Sequence, residues 1–142
     1  RLGGADSGLL LGVDRKKEPH VLHAAYNDAQ GVTAAFNLNL LTHINRELGA
    51  DFQTEQFWHY AYYNPTEGRI EMHLVSRREQ AVRVAGQEFA LAEGETIRTE
   101  YSYKYSPADM RQLAADGGYE VRQTWTDDRD YFSVLYLVVT ER

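Results

Sequence analysis

The sequence predicts an α+β chain: a β-rich antiparallel middle with helices before it, flanked by pieces of a second sheet. Three observations carry this. A period of two runs through residues 59–105, punctuated by turn residues. A helical stripe precedes it, with Phe36, Leu40, Leu41, Ile44 and Leu48 at spacings of three and four. The chain then closes as helix, strand, polar turn, strand over residues 106–139.

The elements follow in order. The run Gly8-Leu9-Leu10-Leu11-Gly12-Val13-Asp14 reads as a strand buried on both faces, the habit of parallel sheets. A natural domain opening there would leave that strand without neighbours, so the chain is expected to be cut from something longer. Pro19 starts a short helix to about Tyr26, interrupted at Asn27-Asp28. A long helix covers about residues 30–48, with Gly49 in the C′ position and with Asn37 and Asn39 off its apolar stripe. Thr54 caps a single turn.

Strands are then expected at 59–64, 69–77, 80–84, 88–92 and 95–105, with turns at Pro65-Thr66-Glu67-Gly68 and Ala85-Gly86. In Ser106-Pro107-Ala108-Asp109, Ser106 caps a helix, Pro107 takes its first position and Asp109 favours its positive end. That helix should carry Met110 and Leu113 inward and stop at Gly117-Gly118. Strands at 119–126 and 131–139 finish the chain around the turn Asp127-Asp128-Arg129-Asp130.

Composition narrows the function classes. At 142 residues the chain is one ordinary domain or part of a larger one, and 43% hydrophobic residues suffice for a packed core. The absence of cysteine removes disulfide and thiolate chemistry and fits a reducing cytoplasm. No apolar run is long enough to span a bilayer, so no membrane partner is expected. The net charge of −6, with Arg15-Lys16-Lys17 the sole basic run, argues against a nucleic-acid surface. Ten tyrosines suit either a half-exposed sheet or the walls of a pocket for a small polar ligand.

Most chemical motifs fail on spacing. His20 and His23 could share a metal, but no third ligand stands in a matching pattern, so no metal is expected. There is no Gly-Xaa-Ser-Xaa-Gly elbow and no glycine-rich loop following a strand. Glu93 and Glu95 flank a loop glycine and read as solvated. What remains is "IRTEYSYKYS", residues 97–106, a strand with no aliphatic face. Strict alternation places Arg98, Glu100, Ser102 and Lys104 on one side, and Thr99, Tyr101, Tyr103 and Tyr105 on the other. A carboxylate two residues from a hydroxyl can grip a group with two hydrogen-bonding nitrogens, such as an imidazole. The competing reading is an exposed edge strand with Glu100–Lys104 charge pairing.

The segments "LLLGVDRKK" (9–17), "AAYNDAQGVTAAFNLNLLTHINRELGADF" (24–52), "GRIEMHLVS" (68–76) and "GETIRTEYSYKYS" (94–106) resemble the histidine-specific, S-adenosylmethionine-dependent methyltransferase family. Four separated motifs occur in the right order, and only residues 87–93 depart noticeably. Members of that family are more than twice this length. The resemblance therefore implies the C-terminal part of such an enzyme, lacking the glycine-rich adenosylmethionine loop. Residues 1–15 would hold the fifth strand of a class I methyltransferase sheet, 16–99 a substrate-binding domain, and 100–142 the closing helix and hairpin of that sheet.

The resemblance also implies site residues. Tyr26 would bind the amino-acid end of the substrate, Met72 would line the wall near it, and Glu100 and Ser102 would hold the imidazole. No catalytic residue is assigned, because methyl transfer from a sulfonium asks mainly for alignment and exclusion of water. The implied activity is histidine Nα-methylation, giving hercynine on the way to ergothioneine, in the cytoplasm. S-adenosyl-L-methionine would be the cofactor of the whole enzyme and is not expected to bind this chain well. Alternatives are a relative acting on another small amine, or a stand-alone non-catalytic small-molecule binding module. An unpaired edge at residues 9–13 would invite self-association.

Overall fold

A computed structural model describes residues 7–140, which form three helices, a 3₁₀ turn and eight strands, mixed α+β with antiparallel sheets. The order is β1 (Gly8–Asp14), α1 (Pro19–Tyr26), α2 (Val32–Leu48), the 3₁₀ turn Thr54–Gln56, β2 (Phe57–Asn64), β3 (Arg69–Ser76), β4 (Gln80–Val84), β5 (Gln87–Leu91), β6 (Thr96–Tyr103), α3 (Pro107–Asp116), β7 (Tyr119–Thr126) and β8 (Phe132–Val139). No helix among the described residues is long and apolar enough to cross a membrane. The chain divides into two compact units, residues 18–102 and residues 7–17 with 103–140.

In the first unit, β2, β3 and β6 form one sheet in that order, and β4 and β5 form a hairpin. Antiparallel pairing sets Ala61 opposite Met72 and His59 opposite Leu74. The helix-side face of this sheet carries the apolar clusters of the unit. Leu22 of α1 packs with Ala61, Ile70 and Met72, while Leu41 of α2 packs with Phe57, Leu74, Val82 and Leu91. Each of these Leu, Ile, Val, Phe and Met side chains withdrawn from water contributes about 1.5–3 kcal/mol.

The opposite face is polar and aromatic. Trp58, Tyr60, Tyr62 and His73 succeed one another at ring separations of 5.6–5.9 Å. Beneath them the buried Glu71 accepts hydrogen bonds from Arg69 Nε, Asn64 Nδ2 and the Tyr62 hydroxyl. Burial would raise the Glu71 carboxyl, but these donors outweigh it and hold it below the ordinary glutamate range.

The stripe on α2 differs from the expected one. Leu41 is buried, but Phe36 is 68% exposed and Leu40 and Leu48 are also open, whereas Asn37 is buried at 3%. The inward row is Asn37, Leu41 and Asn45, each four residues from the next and so on one side of the helix. Asn37 is buried and Asn45 half-buried because each has backbone to serve. Asn45 donates to the Phe52 carbonyl and accepts from the Phe52 N–H, which pins the loop after the helix. The start of α2 is also organised from a distance. Asp28 accepts from the Val32 and Thr33 N–H groups, and these bonds bring its carboxyl down to about 2.

The second unit holds an antiparallel sheet ordered β1-β8-β7, with α3 against it. Ser106 and Asp109 form a reciprocal capping box at the start of α3, as their spacing predicts. Lys16, 2.9 Å from Asp109, adds to the cap bonds in lowering that carboxyl to about 2. Met110 is buried as expected, but Leu113 is exposed and Ala114 takes the inward place. The core is Val13, Met110, Ala114, Leu135 and Leu137.

Two expectations about β1 require correction. It is not buried on both faces, since Leu9 and Leu10 are exposed, the latter at 65%. Its hydrogen-bonded neighbour is the antiparallel β8, and the described residues give its other edge one parallel bridge, Arg15 to Tyr105. Nor does Lys104 pair with Glu100. Its ammonium is fully buried and lies 2.7 Å from Asp14, which Lys17 also engages.

Candidate functional site

The candidate site lies on the helix-side face of the β2-β3-β6 sheet, within the unit of residues 18–102. Its frame is β6, whose alternation slips by one between Thr99 and Glu100. Thr96 faces His73, and Tyr101 lies under the Arg69 and Arg98 guanidiniums at 3.5 and 4.2 Å from its ring centre. Thr99 and Glu100, by contrast, both line the same cavity. Arg98 therefore shares a side with Tyr101 and not with Glu100, contrary to strict alternation. Two adjacent residues turned the same way is the behaviour of a β-bulge, a device that re-aims a side chain. The slip also explains the tyrosines, because Tyr101 is a cation–π platform for two arginines.

Each residue singled out from sequence has a definite place. Glu100 is half-buried and borders a cavity of about 260 Å³ with Phe36, Asn37, Asn39, Leu40, His43 and Thr99. Among the described residues its carboxylate has no hydrogen-bond or ion-pair partner. Ser102, the next inward position, accepts a 2.8 Å hydrogen bond from the Tyr26 hydroxyl. Tyr26 packs on the Leu22, Ala61, Ile70 and Met72 cluster. Met72 itself is 2% exposed, and its carbonyl accepts from Thr99 Oγ1 at 3.1 Å. The structure thus joins Tyr26 to Ser102, sets Met72 in the floor beneath Tyr26, and turns Glu100 toward the neighbouring cavity.

Tyr26 is the last residue of α1, and its surroundings are built to hold it. Asn27 clamps the backbone of Ala61 from both sides, donating to its carbonyl at 2.9 Å and accepting from its N–H at 3.2 Å. The Tyr26 carbonyl, at the C-terminal end of α1, lies 2.8 Å from His59 Nε2. The other ring nitrogen of His59 is 3.0 Å from Asn37 Nδ2, which also donates to the His73 carbonyl at 3.1 Å.

Asn37 and His59 were not singled out from sequence. The signal for Asn37 was its spacing of four from Leu41. His59 falls on the inward side of β2 with Phe57 and Ala61, a place where a histidine needs partners.

Chemically, the arrangement offers one carboxylate at a partly apolar cavity and one hydroxyl two residues along, already oriented by a phenol. It can accept a hydrogen bond from a polarised N–H at one end and exchange a bond with a neutral nitrogen at the other.

Comparison with known proteins matches residues 1–139 to the family described as histidine-specific methyltransferase, SAM-dependent. A histidine N-alpha-methyltransferase of Mycolicibacterium smegmatis is 44% identical over 132 residues, covering 92% of this chain and 41% of the relative. One of Mycobacterium tuberculosis is 43% identical over 129 residues, 89% of this chain and 40% of the relative. An L-tryptophan methyltransferase of Psilocybe serbica is 28% identical over 135 residues, 91% and 37% respectively. The chain spans about two-fifths of the length of these relatives.

Proposed function

The chain belongs to the family of histidine-specific, SAM-dependent methyltransferases, and on that footing we propose that it is the substrate-recognition C-terminal part of an amino-acid N-methyltransferase acting on the α-amine of histidine. The product would be hercynine, an ergothioneine precursor, made in the cytoplasm. The observation that carries this reading is the pairing of a Glu100 carboxylate open to a cavity with a Ser102 hydroxyl held by Tyr26. In it, Glu100 accepts an imidazole N–H, Ser102 meets the second ring nitrogen, and Tyr26 lies toward the amino-acid end. Met72 supports Tyr26 from below. In this reading residues 16–99 are the substrate domain, and residues 1–15 and 100–142 belong to a methyltransferase sheet, of which residues 1–6 and 141–142 lie outside the described residues. The exposed edge of β1 is then a contact surface, either for the rest of the protein or for a second copy.

S-adenosylmethionine, when bound, supplies an electrophilic methyl group. The two glycines of β1 do not offer it a cradle. A Cβ at Gly8 would meet the Tyr136 ring at 2.6 Å, and one at Gly12 the Phe132 ring at 2.8 Å. These β1 glycines therefore admit aromatic rings of β8 and not a nucleotide. What this chain contributes is orientation and exclusion of water around the amino acid, with no general base.

The test uses the whole protein that carries this chain, assayed with a panel of amino acids. Glu100→Ala should lower kcat/KM for histidine at least tenfold more than for tryptophan, because the selecting hydrogen bond is lost. Equal losses would remove Glu100 from the selecting role. A tryptophan preference in the parent protein would instead favour another amine substrate. Methyl transfer to histidine by the 142-residue chain alone would contradict the division of labour proposed.

A further inference from the structure

We propose that His59, fixed by Asn37 as the neutral Nε2–H tautomer, is a positioning residue that sets Tyr26 and thereby the geometry of the Glu100–Ser102 grip. The proposal rests on the substrate-recognition reading above and adds to it a residue that touches no substrate.

Two backbone carbonyls bordering this ring system can only accept. The His73 carbonyl, 3.1 Å from Asn37 Nδ2, requires that this atom be the amide nitrogen. The contact of Asn37 Nδ2 with His59 Nδ1 at 3.0 Å then makes that ring nitrogen the acceptor. The Tyr26 carbonyl also only accepts, so His59 Nε2, at 2.8 Å, must carry the proton. Both ends of the ring demand the same tautomer. An imidazolium would set an N–H against the Asn37 amide N–H.

The bonds form one chain across four elements: Asn37 on α2, His59 on β2, Tyr26 on α1 and Ser102 on β6. Its two ends fall at the two ends of the grip. Asn37 lines the cavity that Glu100 faces, and the Tyr26 hydroxyl reaches Ser102 Oγ. The middle link acts on backbone at the end of α1, where a donor meets a last-turn carbonyl and interacts favourably with the negative end of the helix. Asn27 already fastens the following residue to Ala61, so His59 decides how the last turn of α1 sits above β2.

The experiment has two independent readouts. In the 142-residue chain, nitrogen NMR of labelled histidine should show His59 as a neutral Nε2–H ring. The Tyr26 ring signals, assigned through Tyr26→Phe, should shift in His59→Leu and return toward the parent in His59→Gln, whose amide can still donate to the Tyr26 carbonyl. In the whole protein, His59→Leu should raise KM for histidine about tenfold or more with a smaller change in kcat, and His59→Gln should recover most of it. An Nδ1–H or doubly protonated ring, or unmoved Tyr26 signals in a folded His59→Leu, would overturn the proposal. So would equal losses in the Leu and Gln variants. If the parent protein does not use histidine at all, the substrate reading fails, while the ring tautomer and the Tyr26 signals still decide the role of His59.

Discussion

The Tyr26 hydroxyl donates to Ser102 Oγ at 2.8 Å, joining the last residue of α1 to a strand 76 positions later. This bond helps to orient the Ser102 hydroxyl on β6. Tyr26→Phe keeps the ring on the Leu22, Ala61, Ile70 and Met72 cluster and removes the hydroxyl that reaches Ser102. Stability should fall by about 1 kcal/mol, the net worth of one partly buried hydrogen bond. If the whole protein uses histidine as proposed, KM for it should rise severalfold. Ser102→Ala should have an effect that is not additive with it, because each removes half of one interaction. Steady-state kinetics on the single and double variants check this, and full additivity would count against the coupling.

Asn37 should be the costliest polar residue of α2 to lose. Asn37→Ala leaves His59 Nδ1 and the His73 carbonyl without this donor in a buried place. Stranding such groups costs about 1–3 kcal/mol each. Denaturant unfolding should therefore show a loss of about 2–4 kcal/mol, against less than about 1 kcal/mol for the exposed Asn39→Ala.

The β4–β5 turn carries avoidable strain. Ala85 has φ of 49° and Gly86 φ of 80°, so both central residues are left-handed, as a tight two-residue hairpin turn requires. A Cβ at such a position costs about 1–2 kcal/mol, which asparagine tolerates better. Ala85→Asn should raise stability by about 0.5–1 kcal/mol without disturbing substrate use. A lower melting temperature would mean that the turn is held by something other than its dihedral angles.

Much of this arrangement was legible in residue order, and the misses share a cause. Helix starts, turns and strands follow local rules, so Ser106–Asp109, Gly49 and Ala85-Gly86 appear where spacing puts them. Burial does not follow such rules. Phe36 and Leu40 look like core but border the cavity beside Glu100, while Asn37 looks like surface and lies inside. Tertiary partners decide these cases, and a helical wheel contains none. Glu100 and Ser102 stood out because a strand without an aliphatic face is abnormal. The slip at Thr99 was invisible, since a bulge leaves residue order unchanged and alters only which side each residue takes.

The pair Asp14–Lys104 gives the second unit a directional acid response. Burial pushes the Asp14 carboxyl up, but its bonds and charge contacts with Lys104 and Lys17 overcome this and hold it below its usual value. A carboxylate depressed in the folded state contributes stability that is present above its unfolded pKa. That contribution disappears as pH falls through the folded value. Asp109, at about 2, adds a loss in the same direction. Unfolding free energy should therefore be flat near pH 6 and fall between about pH 4 and pH 2, and Asp14→Asn should remove part of that slope. The two partners should not be equivalent. The Lys104 ammonium is fully buried 2.7 Å from Asp14, so Asp14→Asn takes away a carboxylate charge beside it and should cost about 3 kcal/mol. Asp14 is one-third exposed and keeps Lys17, so Lys104→Met should cost clearly less. Urea unfolding of both variants at pH 7 measures the asymmetry, and equal costs would show that Lys104 does not depend on Asp14 for its charge.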